Sequence, residues 1–141
     1  MDTSDSPKEP SPSFFLNVDL DLWSEEDLSP LAQALEPHAY AMERPAGRIS
    51  FELGKAVSRE DPEPLILEFV RIVKRLPAEP RGVWDRASSR VFDIGIQSGH
   101  RPFQEGYRLA CSTLREVADV GADIGITVYA VDPNESVAEA G

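Results

Sequence analysis

Hydrophobic and polar positions alternate with a period of two over three stretches of this chain. In Phe15–Trp23, FLNVDLDLW, the side chains of Leu16, Val18, Leu20 and Leu22 fall on one side, and those of Asn17, Asp19, Asp21 and Trp23 on the other. In Val91–Gln97, Phe92, Ile94 and Ile96 alternate with Asp93, Gly95 and Gln97. In Asp123–Val131, Ile124, Ile126 and Val128 alternate with Gly125, Thr127 and Tyr129. Such a period marks strands with one buried and one open face. Two shorter strands are predicted at His38–Met42 and Arg48–Leu53 around a Pro-Ala-Gly turn, with Ile49, Phe51 and Leu53 inward and Arg48, Ser50 and Glu52 outward.

Helical spacing is strongest after Asp61. This residue suits an N-cap, Pro62 the first helical position and Glu63 the first turn. Leu65, Ile66, Phe69, Val70, Val73 and Leu76 then form an apolar stripe that Pro77 ends. A shorter helix over 30–36 follows a turn at 24–28, with Leu28, Leu31, Ala34 and Leu35 toward the sheet. Another runs over Ser112–Val120, with Leu114, Val117 and Ala118 inward and Gly121 as its C-terminal cap. Residues 77–89 read as a long connection anchored by Trp84. The order predicts an α+β fold with a mostly antiparallel sheet and helices on one face, a ferredoxin-like βαββαβ unit plus an extra αβ.

At 141 residues the chain is expected to form one domain over 14–131, between disordered tails at 1–13 and 132–141 that are rich in proline or acidic residues. The formal net charge is −11. A surface this acidic repels phosphate backbones, which argues against nucleic acid; a basic protein partner is compatible with it, and so is a charge that only maintains solubility. No apolar run approaches the ~20 residues of a membrane span, and the N-terminus has no apolar leader. Cys111 is the only cysteine, which excludes an intramolecular disulfide and suits a cytoplasmic location. Its expected place is the core.

The run FDIGIQSG, a spacer, and LACSTLREVADVGADIGITVY, together with FFLNVDLDLWSEEDLSPLAQALE near the start, resembles domain-of-unknown-function family 4279, a group of small bacterial proteins, over about residues 14–131. The resemblance implies no activity or catalytic residue. By analogy it implies service beside bacterial toxin systems, and hence an immunity-type inhibitor of a basic toxin.

The chemistry worth pursuing lies on the open sheet face. If the first strand and Val91–Gln97 are near one another, Asp19, Asp21 and Asp93 share that face, bordered by Trp23, Arg48, Glu52 and Tyr129, with Gly95 and Gly125 leaving a shallow trough. Grouped carboxylates suit a basic loop of a partner; they also suit a hard cation such as Mg²⁺ or Ca²⁺, or a small metal-dependent enzyme or ligand sensor. The plainer reading is that outward carboxylates keep a half-exposed sheet soluble and discourage stray pairing. Catalysis calls for a deep pocket and a base tuned near neutrality, and a flat sheet without histidine promises neither. His38 and His100 have no zinc-ligand spacing, and the glycines form no GxGxxG, so no cofactor is expected.

Overall fold

Strand β1 (Phe14–Trp23) is hydrogen-bonded on both sides, and the rest of the chain is layered around it. The structure, a computed structural model, describes residues 12–44, 47–54, 60–100 and 106–131. The tails expected at 1–13 and 132–141 therefore lie outside the described residues, apart from Pro12 and Ser13. After β1 come α1 (Ser29–Leu35), β2 (Ala39–Arg44), β3 (Arg48–Leu53), α2 (Pro62–Lys74), α3 (Ala78–Arg86), β4 (Ser89–Gln97), α4 (Cys111–Asp119) and β5 (Asp123–Tyr129). The sheet order is β2-β3-β1-β4-β5. The first three neighbouring pairs are antiparallel and the last, β4 with β5, is parallel. The order and directions of β1 to β4 are those of a ferredoxin-like unit, and α4 with β5 is the added αβ. The fold is α+β, as the sequence predicts.

One face of this sheet carries the core. Val18, Leu20 and Leu22 of β1 align with Phe51 of β3 and with Phe92 and Ile94 of β4, all buried. α2 lays Leu65, Ile66, Phe69, Val70, Ile72 and Val73 on them, and Phe69 stacks on Phe92 with ring centroids 5.6 Å apart. Asp61 caps α2 through its carboxylate, which accepts the Glu63 N–H at 3.2 Å. Among the described residues only one of the two faces is covered by helices, so the alternation read in β1 is that of a strand packed on one side.

Five local expectations fail, each for a physical reason. A register irregularity between Phe15 and Asn17 turns Phe15 into the core and leaves Leu16 43% exposed, so the inward set of β1 begins at Phe15 rather than Leu16. Residues 78–86 are a helix and not an open connection: Pro80 falls in its first turn, where a missing N–H costs nothing, and Gly82 is tolerated because the fully buried Trp84 anchors it. α4 is turned so that Thr113 and Val117 face inward, while Leu114 and Ala118 face out. Glu63 sets that rotation, its carboxylate accepting the Ala110 N–H at 2.6 Å and the Thr113 hydroxyl at 2.7 Å. These two hydrogen bonds hold the Glu63 carboxyl below its ordinary pKa. The same rotation leaves Cys111 exposed at the start of α4 rather than in the core. Finally, His38 is an exposed turn residue, since β2 begins at Ala39.

The far end of the helical layer is tied by Trp84 and Arg90. The Trp84 indole N–H donates to the Val120 carbonyl at 2.7 Å. The Arg90 guanidinium donates to the carbonyls of Trp84 and Ala87 at the end of α3, and to that of Gly121 beyond α4. Gly121 adopts φ 74°, the left-handed conformation expected of its capping position. Phe69→Ala, which empties the middle of this layer under Phe92, should cost about 3–5 kcal/mol in chemical denaturation. An unchanged midpoint would take α2 out of the core.

Candidate functional site

The uncovered face of the sheet is built by residues that the core leaves no choice about. Because Leu20 and Leu22 must point to the helices, Asp19, Asp21 and Trp23 point away from them. Register then sets their neighbours. Asp19 lies opposite Asp93 of β4 and Glu52 of β3, Asp21 opposite Val91 and Ser50, and Trp23 opposite Ser89 and Arg48. β5 brings Gly125 beside Asp93 and Thr127 beside Gly95.

The face is not flat. An open cavity of about 650 Å³ is lined by Asp19, Asp21, Trp23, Arg48, Asp93 and Tyr129, with Arg44, Ser50 and Val91 among its other walls. Six of the seven residues expected from sequence therefore meet in one concavity. Glu52 does not line it, although it stands beside Asp19 and its charge is felt there. The two glycines contribute differently. At Gly95 the Tyr129 ring leans in, 3.6 Å from where a Cβ would be. At Gly125 the vacant position is 3.1 Å from Asp93 Oδ1, so the missing side chain makes room for that carboxylate.

Two carboxylates are held by hydroxyls. The Ser50 hydroxyl donates to Asp21 Oδ1 at 2.6 Å, and Arg44 Nε donates to that same Ser50 oxygen at 3.2 Å. The Thr127 hydroxyl lies 2.9 Å from both oxygens of Asp93. Among the described residues, Asp19 has only the Asn17 amide as a side-chain donor, at 3.5 Å. Burial, followed by the negative charges of Asp21, Glu52 and Asp93, pushes Asp19 from 3.8 up to about 6, with Arg44 pulling the other way. Burial also raises Asp93, partly offset by the Thr127 hydrogen bond.

Arg44, Ser50 and Thr127 were not among the residues expected at the site. The predicted strand at 38–42 stops short of Arg44, yet outward positions Tyr40 and Met42 continue with period two to Arg44, and that was the available signal. Ser50 and Thr127 lie on the predicted outward faces, but nothing in the sequence shows that they reach a carboxylate.

Chemically, the cavity offers a group of carboxylates, one of them half-protonated at about pH 6, between Trp23 with two arginines and Tyr129. It can accept a cation and it can hold or release one proton at Asp19. Among the described residues no group of three or more His, Cys, Asp or Glu side chains is arranged to hold a metal ion. The shallow trough expected on this face is an open cavity, and within it Asp19 is raised to about 6, a feature that the lack of a histidine on the face did not suggest.

The raised Asp19 has a consequence for stability. In the unfolded chain it ionises near 3.8 and in the folded protein near 6, so the folded protein holds the proton more tightly in that interval. Stability therefore falls as pH climbs from 3.8 to about 6, and the deficit persists above it. After allowance for screening at a half-exposed group, Asp19→Asn should raise the melting temperature by about 2–4 °C near pH 8. Below about pH 3, where Asp19 is protonated in both states, variant and parent should melt together. A shift of equal size at both pH values would show that the substitution acts through packing instead. Comparison of the chain with protein-family models, with curated proteins and with solved structures finds no match.

Proposed function

We propose that this chain is a non-enzymatic protein-binding domain whose open sheet face receives a basic segment of a partner protein. The observation that carries this reading is the convergence of Asp19, Asp21 and Asp93 with Trp23 and Tyr129 around one cavity. A lysine or arginine entering it gains most from Asp19: the cation favours the ionised form, and so relieves the repulsion that holds the proton on that carboxyl. Aromatic side chains beside charges are the usual composition of interface anchors, with rings supplying affinity and charges steering approach. The resemblance to domain-of-unknown-function family 4279 supports the narrower proposal of an immunity-type inhibitor of a basic toxin in the bacterial cytoplasm. No helix of the described residues is long and apolar enough to cross a membrane.

A second reading is favoured by one observation, the Asp19 carboxyl held at about 6 within a cavity. That is the tuning of a general acid or base, and it suits a small enzyme or a ligand sensor. Since no metal-holding cluster is present among the described residues, we take this reading in its acid–base form.

Affinity capture at low salt with the intact chain separates the two. A binding domain should retain a basic protein in stoichiometric amount, released by raising salt through the screening range. The triple variant Asp19→Asn, Asp21→Asn, Asp93→Asn should fold and lose at least about tenfold in affinity for that partner. Full affinity in the triple variant would remove the open face from recognition. Capture of nothing basic, with a small molecule whose binding shifts the Asp19 titration, would favour the second reading.

A further inference from the structure

β5 closes one edge of the sheet, and that edge is unlike the rest of the surface. Among the described residues it pairs with β4 alone. The Tyr129 carbonyl accepts the Ser98 N–H at 2.8 Å on the β4 side. In a parallel ladder alternate residues turn both backbone groups to the same neighbour, so Asp123, Gly125 and Thr127 share the orientation of Tyr129. The backbone groups of Ile124, Ile126 and Val128 consequently point outward, along a free edge.

The two faces beside this edge differ in chemistry. On the helix side, Ile126 lies next to the buried Ile94 and Val128 next to Ile96, yet Ile126 is 65% and Val128 60% exposed. The core stripe thus runs one strand further than its helical cover. Leu114, on the helix leading into β5, adds a third exposed apolar side chain at 45%. On the open side, the vacancy at Gly125 leaves Asp93 within reach of the edge, and Asp123 stands one step along. No charged side chain guards the strand between Ile124 and Tyr129, the usual means by which an edge is kept from pairing.

The geometry points to β5 as the site where an extended segment of the basic partner adds as a sixth strand, its alternate side chains apolar and basic. The apolar set covers Ile126 and Val128, while the basic set passes over Gly125 toward Asp93 and the cavity. Charge complementarity selects this occupant over a second copy of the chain, since a copy would bring a further net charge of −11 to a face that is already acidic. Strand addition of this kind takes affinity from main-chain hydrogen bonds and selectivity from alternate side chains. The inference rests on the binding reading above and specifies how the partner lies.

The test uses two labelled seven-residue peptides of identical composition, acetylated and amidated. One alternates lysine and valine; the other has its lysines in one block and its valines in another. Binding to the intact chain is measured by fluorescence anisotropy, with sedimentation of the protein alone as a parallel measurement. The alternating peptide should bind at least about tenfold more tightly than the blocked one. Ile126→Pro removes one outward N–H at an edge position that tolerates proline, and should erase that difference. Ile126→Thr with Val128→Thr keeps the strand and removes apolar surface, and should reduce the difference as well; unfolding curves establish that each variant is folded. Equal binding of both peptides, lost in the Asp19→Asn, Asp21→Asn, Asp93→Asn variant, would overturn strand addition while leaving the acidic face as a binding site. Failure of the alternating peptide to bind, or self-association of the parent chain that Ile126→Pro abolishes, would also overturn it, the latter in favour of a second copy as the occupant.

Discussion

The constraint on which the open face depends is that β1 is hydrogen-bonded to two neighbours while one of its sides is locked into the core. Val18, Leu20 and Leu22 cannot leave the helical layer without exposing buried apolar surface, at about 25 cal/mol per Å². A slip of one residue would turn them all outward at once. The register is therefore fixed by side chains buried on the opposite face from the carboxylates. Asp19, Asp93 and Glu52 are then direct cross-strand neighbours whatever their mutual repulsion. The fold holds like charges together and the hydrophobic core supplies the stability that this opposes.

How the site meets that repulsion follows from what surrounds each carboxylate. Asp21 has the Ser50 hydroxyl, itself approached by Arg44, and Asp93 has the Thr127 hydroxyl. Asp19 sits between them with the weakest donor, and it is there that the proton is held most tightly. Burial first, and then the charges of its neighbours, raise Asp19 to about 6. A bound cation would replace that proton. Binding and protonation at this face are thus competing events, whichever ligand occupies it.

What was legible in the sequence was whatever a strict period states. The strands, the six-residue stripe of α2 and the outward grouping of Asp19, Asp21 and Asp93 all follow from spacing, and the ferredoxin-like order follows from counting elements. The misses occur where local chemistry breaks a period. Leu16 lies at a bulge, so extending the alternation back from Val18 assigned it to the wrong side. α3 carries a proline and a glycine within nine residues, and only Trp84 docking beneath Phe92 and Val120 makes it a helix. Leu114 and Val117 suit one helical stripe, but Glu63, on a helix far back in the sequence, turns α4 through its grip on Ala110 and Thr113. The depth of the cavity was equally hidden, because alternation says which way a side chain points and nothing about sheet curvature.

The acidic face and the bare edge belong to one arrangement. Appending α4 and β5 to the four-stranded unit moves the sheet boundary from β4, whose Ile94 is buried, to β5, whose Ile126 is exposed. It also supplies Thr127 to Asp93 and the Tyr129 ring to the end of the cavity. Without β5 the Asp93 carboxylate would stand at the edge, hydrated and lacking its hydroxyl donor. With β5 the Thr127 hydroxyl reaches Asp93, and Gly125 presents backbone alone where a Cβ would meet Val91 Cγ1 at 3.0 Å and Asp93 Oδ1 at 3.1 Å. The strand that completes the cavity is also the strand whose Ile126 and Val128 are left exposed.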